Sequence, residues 1–144
     1  MENDEMVAQQ VLRLARQITK RRNHHIRDLD LTTEQADALR FFEERPDRSI
    51  TAFKTVQGIT HQTARLIVQR LAKRGLVQLV TSSTDARMKQ VELTPAGKQK
   101  RQQLQQHGWQ TSADLFDHFS EAEQQQLLNF LQRANHNLES DKVQ

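Results

Sequence analysis

Residues 58–98 read GITHQTARLIVQRLAKRGLVQLVTSSTDARMKQVELTPAGK, and this stretch decides the fold. Thr60 is a good N-cap for a helix that continues to Gly75, because a threonine hydroxyl accepts a free backbone N–H of the first turn. Two short runs rich in β-branched residues follow, LVQLVT and RMKQVEL, and the turn-forming SSTDA joins them. Their alternating polarity predicts a β-hairpin directly after the helix.

A short helix before Thr60 completes a helix-turn-helix. Ser49 is its predicted N-cap, and Gly58 ends it after about eight residues. Ile50, Phe53 and Val56 are expected to face inward. Because the turn to the next helix is short and contains glycine, the two helices must cross at a large angle. A helix-turn-helix followed by a β-hairpin predicts a winged helix.

Two more helices are predicted ahead of the winged helix. Residues 4–27 carry apolar side chains at helical spacing, with arginine, glutamine and lysine on the other face. Thr32 and Gln35 have the form of a capping box, which starts the second helix, and Pro46 ends that helix. The expected fold class is therefore mainly α with a small β-hairpin wing, in which a helical dimerisation region accompanies the winged helix-turn-helix core.

Two long helices are predicted after the hairpin. The first opens at Pro95 and is expected to continue to about residue 119, a length of about 37 Å. Ser120 and Glu123 form a capping box that starts the last one. A 37 Å helix is longer than the core of so small a domain, so a second subunit is expected to cover its far end. The predicted dimer interface contains Val7, Val11, Leu14, Trp109, Phe116, Phe119, Leu127, Leu131 and Leu138.

Composition narrows the class of protein. Seven Lys or Arg and two acidic residues lie within 49–94, about +5 of charge, which leaves −2 for the rest of a chain with net charge +3. A basic centre between acidic ends indicates a polyanionic partner. The chain has no cysteine, which excludes thiol redox sensing and thiolate zinc sites. No signal peptide or membrane span is recognisable, so a cytoplasmic location is expected.

The helix from Thr60 to Gly75 has one face suited to reading DNA. Gln62, Arg65 and Gln69 can each make two hydrogen bonds to a base edge, and Leu66 can contact a thymine methyl. The ordinary alternative is a solvated amphipathic helix, which the helical spacing alone does not exclude. The predicted DNA-binding residues are Ser49, Thr60, His61, Gln62, Thr63, Arg65, Leu66, Gln69, Arg70, Lys73, Ser82, Ser83, Asp85, Arg87 and Lys89.

The tip of the hairpin holds an Asp-x-Arg pair. Residues two apart in an extended segment point the same way, so Asp85 can accept hydrogen bonds from Arg87 and aim its guanidinium. An arginine on a thin ribbon suits a narrow, negative minor groove. Lys89, Ser82 and Ser83 are expected at phosphates. An isolated surface ion pair of this kind usually contributes little to stability. We assign this pair to DNA binding because it lies on the wing of a basic winged helix.

These motifs together resemble the MarR/SlyA family of bacterial transcription regulators over nearly the whole chain. The segments LTTEQADAL, GITHQTARLIVQRLAKRGLV and TDARMKQVELTPAGK match its second helix, recognition helix and wing in order. The resemblance implies a homodimeric repressor on a pseudo-palindromic operator. It implies one domain over 1–144, with a DNA-binding core at 30–93 and a dimerisation region at 1–29 and 94–144. It also implies a small anionic aromatic effector. Leu66 and Gln69 depart from the family's common residue types, so the operator sequence does not carry over.

Two alternatives stay open at this stage, and a third is not expected. His24, His25, His107 and His118 invite a zinc-responsive regulator, although none has tight ligand spacing. A winged helix that binds protein alone is the second, and it has no need of Arg65, Arg70 and Lys89 on one side. An enzyme is not expected, because no phosphate-binding loop or nucleophile motif is present. No cofactor and no metal site are predicted.

Overall fold

The computed structural model describes residues 2–81 and 89–140, and in this part the chain forms six helices and one hairpin. The elements in order are α1 (Glu2–Asp28), α2 (Thr33–Glu44), α3 (Ile50–Gln57), α4 (His61–Lys73), β1 (Val77–Thr81), β2 (Lys89–Leu93), α5 (Pro95–Leu115) and α6 (Glu121–Ser140). The expected fold class, mainly α with a small β-hairpin wing, is confirmed. The chain consists of two compact units that meet after Trp109 in the sequence. No helix within the described residues is long and apolar enough to span a membrane.

Polar side chains start the helices where the sequence predicted. Thr32 and Gln35 form a reciprocal capping box, with both hydrogen bonds at 3.1 Å. The Ser49 hydroxyl accepts the N–H of Ala52 at 3.0 Å and caps α3. A second capping box opens α6, where Glu123 accepts the N–H of Ser120 at 2.8 Å. Each cap satisfies backbone donors that a first turn leaves free, so the helix starts are fixed locally.

The core of the first unit lies beneath the helix-turn-helix. Phe41, Phe42 and Phe53 form an aromatic cluster with ring centroids 5.1–5.4 Å apart. Leu71 of α4 and Val91 of β2 are fully buried in the same core. Burying large side chains from α2, α3, α4 and the hairpin in one core fixes the orientation of α4.

The hairpin is antiparallel and is tied to the loop before α3. Val77 pairs with Leu93 and Thr81 with Lys89 at the two ends of the ladder. The N–H of Val91 donates to the carbonyl of Arg48 at 2.8 Å, and the side-chain oxygen of Gln90 accepts the N–H of Arg48 at 2.8 Å. These bonds satisfy the N–H of Val91 on the free edge of β2 and both backbone groups of Arg48, so the base of the wing is held against the helical core.

The start of α5 is joined to the end of α4 through Thr94. Its hydroxyl donates to the carbonyl of Gly75 at 2.6 Å and accepts the N–H of Gly97 at 3.1 Å, while its own N–H donates to the Leu76 carbonyl. Gly97 passes so close to Leu76 that a Cβ would stand 2.0 Å from the Leu76 carbonyl oxygen. Only glycine fits at this approach. We call Thr94, Gly97, Gly75 and Leu76 the α4–α5 junction.

Two expectations about the helices were wrong. Helix α5 ends at Leu115 rather than near residue 119, because the chain turns at Phe116–His118 and His118 adopts a left-handed conformation with φ of 67°. Val56 was expected to face inward, but its side chain is 51% exposed. Helix α3 has only eight residues, and burial of Phe53 satisfies its packing without Val56.

Candidate nucleic-acid interface

A glycine corner sets the angle between α3 and α4. Gly58 adopts φ 65°, which places it in the left-handed region, and Ile59 donates its N–H to the carbonyl of Lys54 at 3.2 Å. A residue with a Cβ is disfavoured in this conformation, so the tight corner depends on glycine. Only Gly58, Ile59 and Thr60 separate α3 from α4, which is the short glycine-containing turn of a helix-turn-helix.

Helix α4 has a fully buried face and a fully exposed one. Ala64, Ile67, Val68 and Leu71 are buried in the core, with at most 9% of their surface accessible. The opposite side carries His61, Gln62, Thr63, Arg65, Leu66, Gln69, Arg70 and Lys73, all of which are exposed. The face that the sequence indicated is therefore available for a partner.

Hydrogen bonds order the start of α4. Thr60 accepts the N–H of Thr63 at 3.1 Å, and its hydroxyl donates to the Thr63 hydroxyl at 2.8 Å. The Arg65 guanidinium lies 3.5 Å from Nε2 of His61, one turn earlier. The N-terminal turn reads HQTA and contains no acid, so its free N–H groups and dipole favour an anion such as phosphate.

Among the described residues, Arg74 at the end of α4 pairs with Asp30 at 3.5 Å, but the cations on the exposed face of the helix have no acidic partner. Residues 48–84 contain six Lys or Arg and no acid. The two acids counted within 49–94 both lie after residue 84. Arg65, Arg70 and Lys73 make no ion pair with any carboxylate among residues 2–81 and 89–140. Cations left free on a low-dielectric surface create a positive potential that attracts polyanions.

The other predicted contact residues fall into three groups. Ser49 is only 9% exposed, and its hydroxyl is occupied as a helix cap. Lys89 is exposed at the start of β2, opposite Thr81. The wing residues Ser82, Ser83, Asp85 and Arg87 lie outside the described residues.

Arg101 links the start of α5 to α2 beneath the helix-turn-helix. Arg101 is 9% exposed. Its guanidinium donates a hydrogen bond to the Glu44 carboxylate at 3.0 Å and lies 3.7 Å from the carboxylate of Glu43. Burial acts to raise the pKa of Glu44, but the hydrogen bond from Arg101 and the charge of Arg40 outweigh it and lower the pKa. Sequence reasoning missed this link because the partners are 57 residues apart and no local pattern connects them.

Two histidines join α1 to α5 by stacking. The rings of His25 and His107 are nearly parallel, with centroids 3.8 Å apart, and Nε2 of His25 contacts the Gln103 carbonyl at 3.1 Å. Burial and the adjacent His25 lower the pKa of His107. Nε2 of His107 is buried and has no hydrogen-bond partner among the described residues, so the neutral ring suits this position.

The remaining histidines do not gather into a metal site. His24 lies 3.4 Å from Asp28 on α1, and His118 lies 3.4 Å from Asp117. Among residues 2–81 and 89–140, no group of three or more potential ligands is close enough to hold a metal ion. The sequence motif of neighbouring histidines therefore corresponds, in this part of the chain, to stacking and surface ion pairs.

The predicted dimer residues are largely uncovered by the chain itself. Val7 and Val11 of α1 are 62% and 44% exposed. Trp109 on α5 is 62% exposed, and Leu138 on α6 is 70% exposed. Phe119 and Leu131 are exposed as well, whereas Leu14, Phe116 and Leu127 are half-buried.

The arrangement defines a class of protein. A short helix, a glycine corner, a second helix with a free basic face and a hairpin make up a winged helix-turn-helix. Solved structures have the same fold: the YusO protein of Bacillus subtilis aligns with a TM-score of 0.78 at 14% identity, covering 94% of this chain and 96% of that one. A complex of MepR from S. aureus with DNA aligns with a TM-score of 0.69 at 17% identity, covering 87% and 94%.

Sequence comparison finds a similar family and a similar repressor. The family model described as "MarR family" matches residues 29–88. The HTH-type transcriptional repressor IacR of Pseudomonas putida is 29% identical over 115 residues, which are 80% of this chain and 69% of that protein. In these comparisons the chain is similar to the MarR family of transcription regulators.

Proposed function

We propose that this protein is a sequence-specific DNA-binding repressor that acts as a homodimer on a pseudo-palindromic operator. The observation that carries the proposal is the exposed, acid-free face of α4, held at a fixed angle by a buried core and a glycine corner. A repressor among its relatives and a DNA complex among its structural neighbours support the same function. A cytoplasmic location agrees with DNA as the partner.

In the proposed complex, α4 enters the major groove with its N-terminal turns against the bases. Gln62, Arg65 and Gln69 present side chains that bond base edges, while Thr60 and Thr63 lie at the turn nearest the phosphates. The dimer places two such helices about 34 Å apart, one helical turn of DNA. His61, Leu66, Arg70, Lys73 and Lys89 complete the surface, together with the wing residues Ser82, Ser83, Asp85 and Arg87, whereas Ser49 acts indirectly as the cap of α3.

The homodimer is proposed because both helical ends of the chain expose apolar surface. Helix α1 has one buried residue, Ile26, and exposes Met6, Val7, Val11 and Leu12. Helix α6 exposes a second apolar set that includes Leu128, Phe130, Leu131 and Leu138. Exposed apolar sets on both helices indicate an interface, and a second copy covers them most economically. Residues 30–93 then serve as the DNA-binding core, and 1–29 with 94–144 as the dimerisation region.

Release by a small anionic aromatic effector is the last part of the proposal. An open groove of about 460 Å³ runs along α1, lined by Leu12, Ala15, Arg16, Thr19, Lys20, Asn23 and Arg27. Three cations beside an apolar floor suit such a ligand, because charge and apolar contact are satisfied together. Benzoate is a small anionic aromatic compound that serves as the probe. If it binds more tightly to the dimer arrangement that does not fit DNA, it weakens DNA binding by the difference between its affinities for the two arrangements. The measurement is DNA affinity against benzoate concentration, with Arg16→Ala as the variant that loses the response.

A fluorescence anisotropy titration tests the DNA function. It compares the DNA upstream of the protein's own gene, and sites selected from a random pool, with shuffled DNA of equal length at physiological salt. We expect the specific duplex to bind at least about a thousandfold more tightly than shuffled DNA. Equal, weak and salt-sensitive binding to every duplex would contradict specific recognition and favour a protein-binding winged helix.

Light scattering with matched aspartate variants tests the homodimer. Val11→Asp introduces a charge into the apolar set of α1, whereas Val56→Asp makes the same change at a site of similar exposure on α3. The wild type and Val56→Asp should have twice the chain mass, and Val11→Asp should shift towards one chain mass. A monomeric wild type at micromolar concentration would refute the proposed assembly.

A further inference from the structure

Leu66 lies at the centre of the exposed face of α4. It is the sixth residue of the helix, one turn after Gln62 and one turn before Gln69 and Arg70. Its side chain is 44% exposed, and within α4 it is the large apolar side chain left in contact with solvent. The core is complete without it, because Ile67, Val68 and Leu71 face the opposite side. A structural role inside the chain therefore does not account for leucine here.

Docking of α4 in a major groove would bury Leu66 against base edges. Most of those edges are hydrogen-bond donors and acceptors, and an apolar side chain leaves them without partners once water is excluded. The C5-methyl group of thymine is the apolar feature of the major groove. Leucine at this central position is therefore compatible with thymine and unfavourable for the other bases.

We propose that Leu66 is a specificity-determining residue that selects a pyrimidine C5-methyl group, normally that of thymine, in each half of the operator. The inference rests on the proposed DNA-binding function and adds the chemistry that is read at one position. Gln62 and Gln69, which lie one turn to either side, bond neighbouring bases and fix the register of the leucine. 5-Methylcytosine carries the same methyl group and is accepted in place of thymine, whereas uracil and cytosine are discriminated against.

The test removes single methyl groups from a site that the wild-type protein has selected from a random pool. Each thymine is replaced in turn by deoxyuridine, which changes no Watson–Crick hydrogen bond. We expect one symmetric pair of thymines at which loss of the methyl weakens binding, by about fourfold for one half-site and about fifteenfold for both. At the same position, 5-methylcytosine should bind more tightly than cytosine by a similar factor.

Two variants test whether Leu66 causes the preference for the thymine methyl: Leu66→Ala removes the side chain, and Leu79→Ala is the control. Alanine keeps the helix, since it has the highest helix propensity, and circular dichroism checks the fold. Leu66→Ala should bind thymine and deoxyuridine duplexes equally, while Leu79→Ala, which removes a leucine of similar exposure (47%) from β1, should keep the wild-type ratio.

The outcomes separate the two proposals. Specific binding that ignores every thymine methyl, or a thymine-to-uracil ratio that Leu66→Ala leaves unchanged, overturns the assignment of Leu66 and leaves the repressor function standing. A pool from which no sequence is enriched overturns specific DNA binding and the assignment together. Leu66 would then be the centre of a protein-binding face.

Discussion

Replacing Gly97 by alanine should destabilise the fold more than the same substitution at Gly108, the other glycine of α5. A Cβ at this position would stand 2.0 Å from the carbonyl oxygen of Leu76, and that atom belongs to backbone rather than to a flexible side chain. To reach an ordinary contact, α5 and the end of α4 must separate by more than 1 Å. Such a shift would break the hydrogen bond from the Thr94 N–H to the same carbonyl, which is 3.1 Å long.

The cost combines steric overlap with a lost hydrogen bond. Overpacking costs about 1–3 kcal/mol, and the hydrogen bond contributes about 1 kcal/mol. We therefore expect Gly97→Ala to lower the free energy of unfolding by about 2–4 kcal/mol, and the melting temperature by about 5–15 °C for a chain of this size. Urea denaturation and thermal melting at one fixed protein concentration measure both quantities, since assembly makes them depend on concentration.

Gly108→Ala is the matched control on the same helix. A Cβ at Gly108 meets nothing within 4 Å in the described chain, and alanine has the higher helix propensity. This variant should be as stable as the wild type or more stable by up to about 1 kcal/mol. If both variants unfold with the wild-type free energy, the close approach at the α4–α5 junction does not constrain the fold and the reasoning fails.

Three further predictions concern the site, the cap and the histidine pair. Arg70→Ala should weaken DNA binding and lower the slope of log affinity against log salt by about one per subunit, which titrations at several salt concentrations measure. Thr60→Ala should destabilise the fold by about 1 kcal/mol in urea denaturation, whereas Thr51→Ala, at an exposed α3 position, serves as its comparison. The pKa of His107 is lowered from the ordinary 6.5, so folding favours its neutral form and stability should fall as pH drops below 6.5. Urea denaturation at pH 7.5 and 5.5 should therefore give a smaller difference for His107→Phe than for the wild type, and an equal difference would contradict the role of this ring.

Sequence reasoning was most successful where the physical signal is local. The caps at Thr32, Ser49, Thr60 and Ser120 depend on side chains within three residues of the helix start, so the sequence contains everything needed to place them. The exposed face of α4 was also predictable. Its four core positions recur at helical spacing, and the opposite side follows from geometry.

Other features depend on partners that are distant in sequence. Arg101 reads as one basic residue among many on α5 until the fold brings Glu44 within 3.0 Å. The stacking of His25 on His107 joins residues 82 positions apart, and the sequence alone left a zinc-responsive regulator open as an alternative for these histidines. The end of α5 was misplaced because neither glycine nor proline marks it, and a histidine adopts the left-handed conformation instead.

The α4–α5 junction has a mechanical consequence. One threonine hydroxyl bonds both Gly75, just after the end of the helix proposed to read DNA, and the first turn of α5, a helix about 31 Å long. A rotation of α5 is therefore transmitted directly to the end of α4 through these hydrogen bonds. Control of DNA binding through a change of tilt of α5 would then require no melting of either helix.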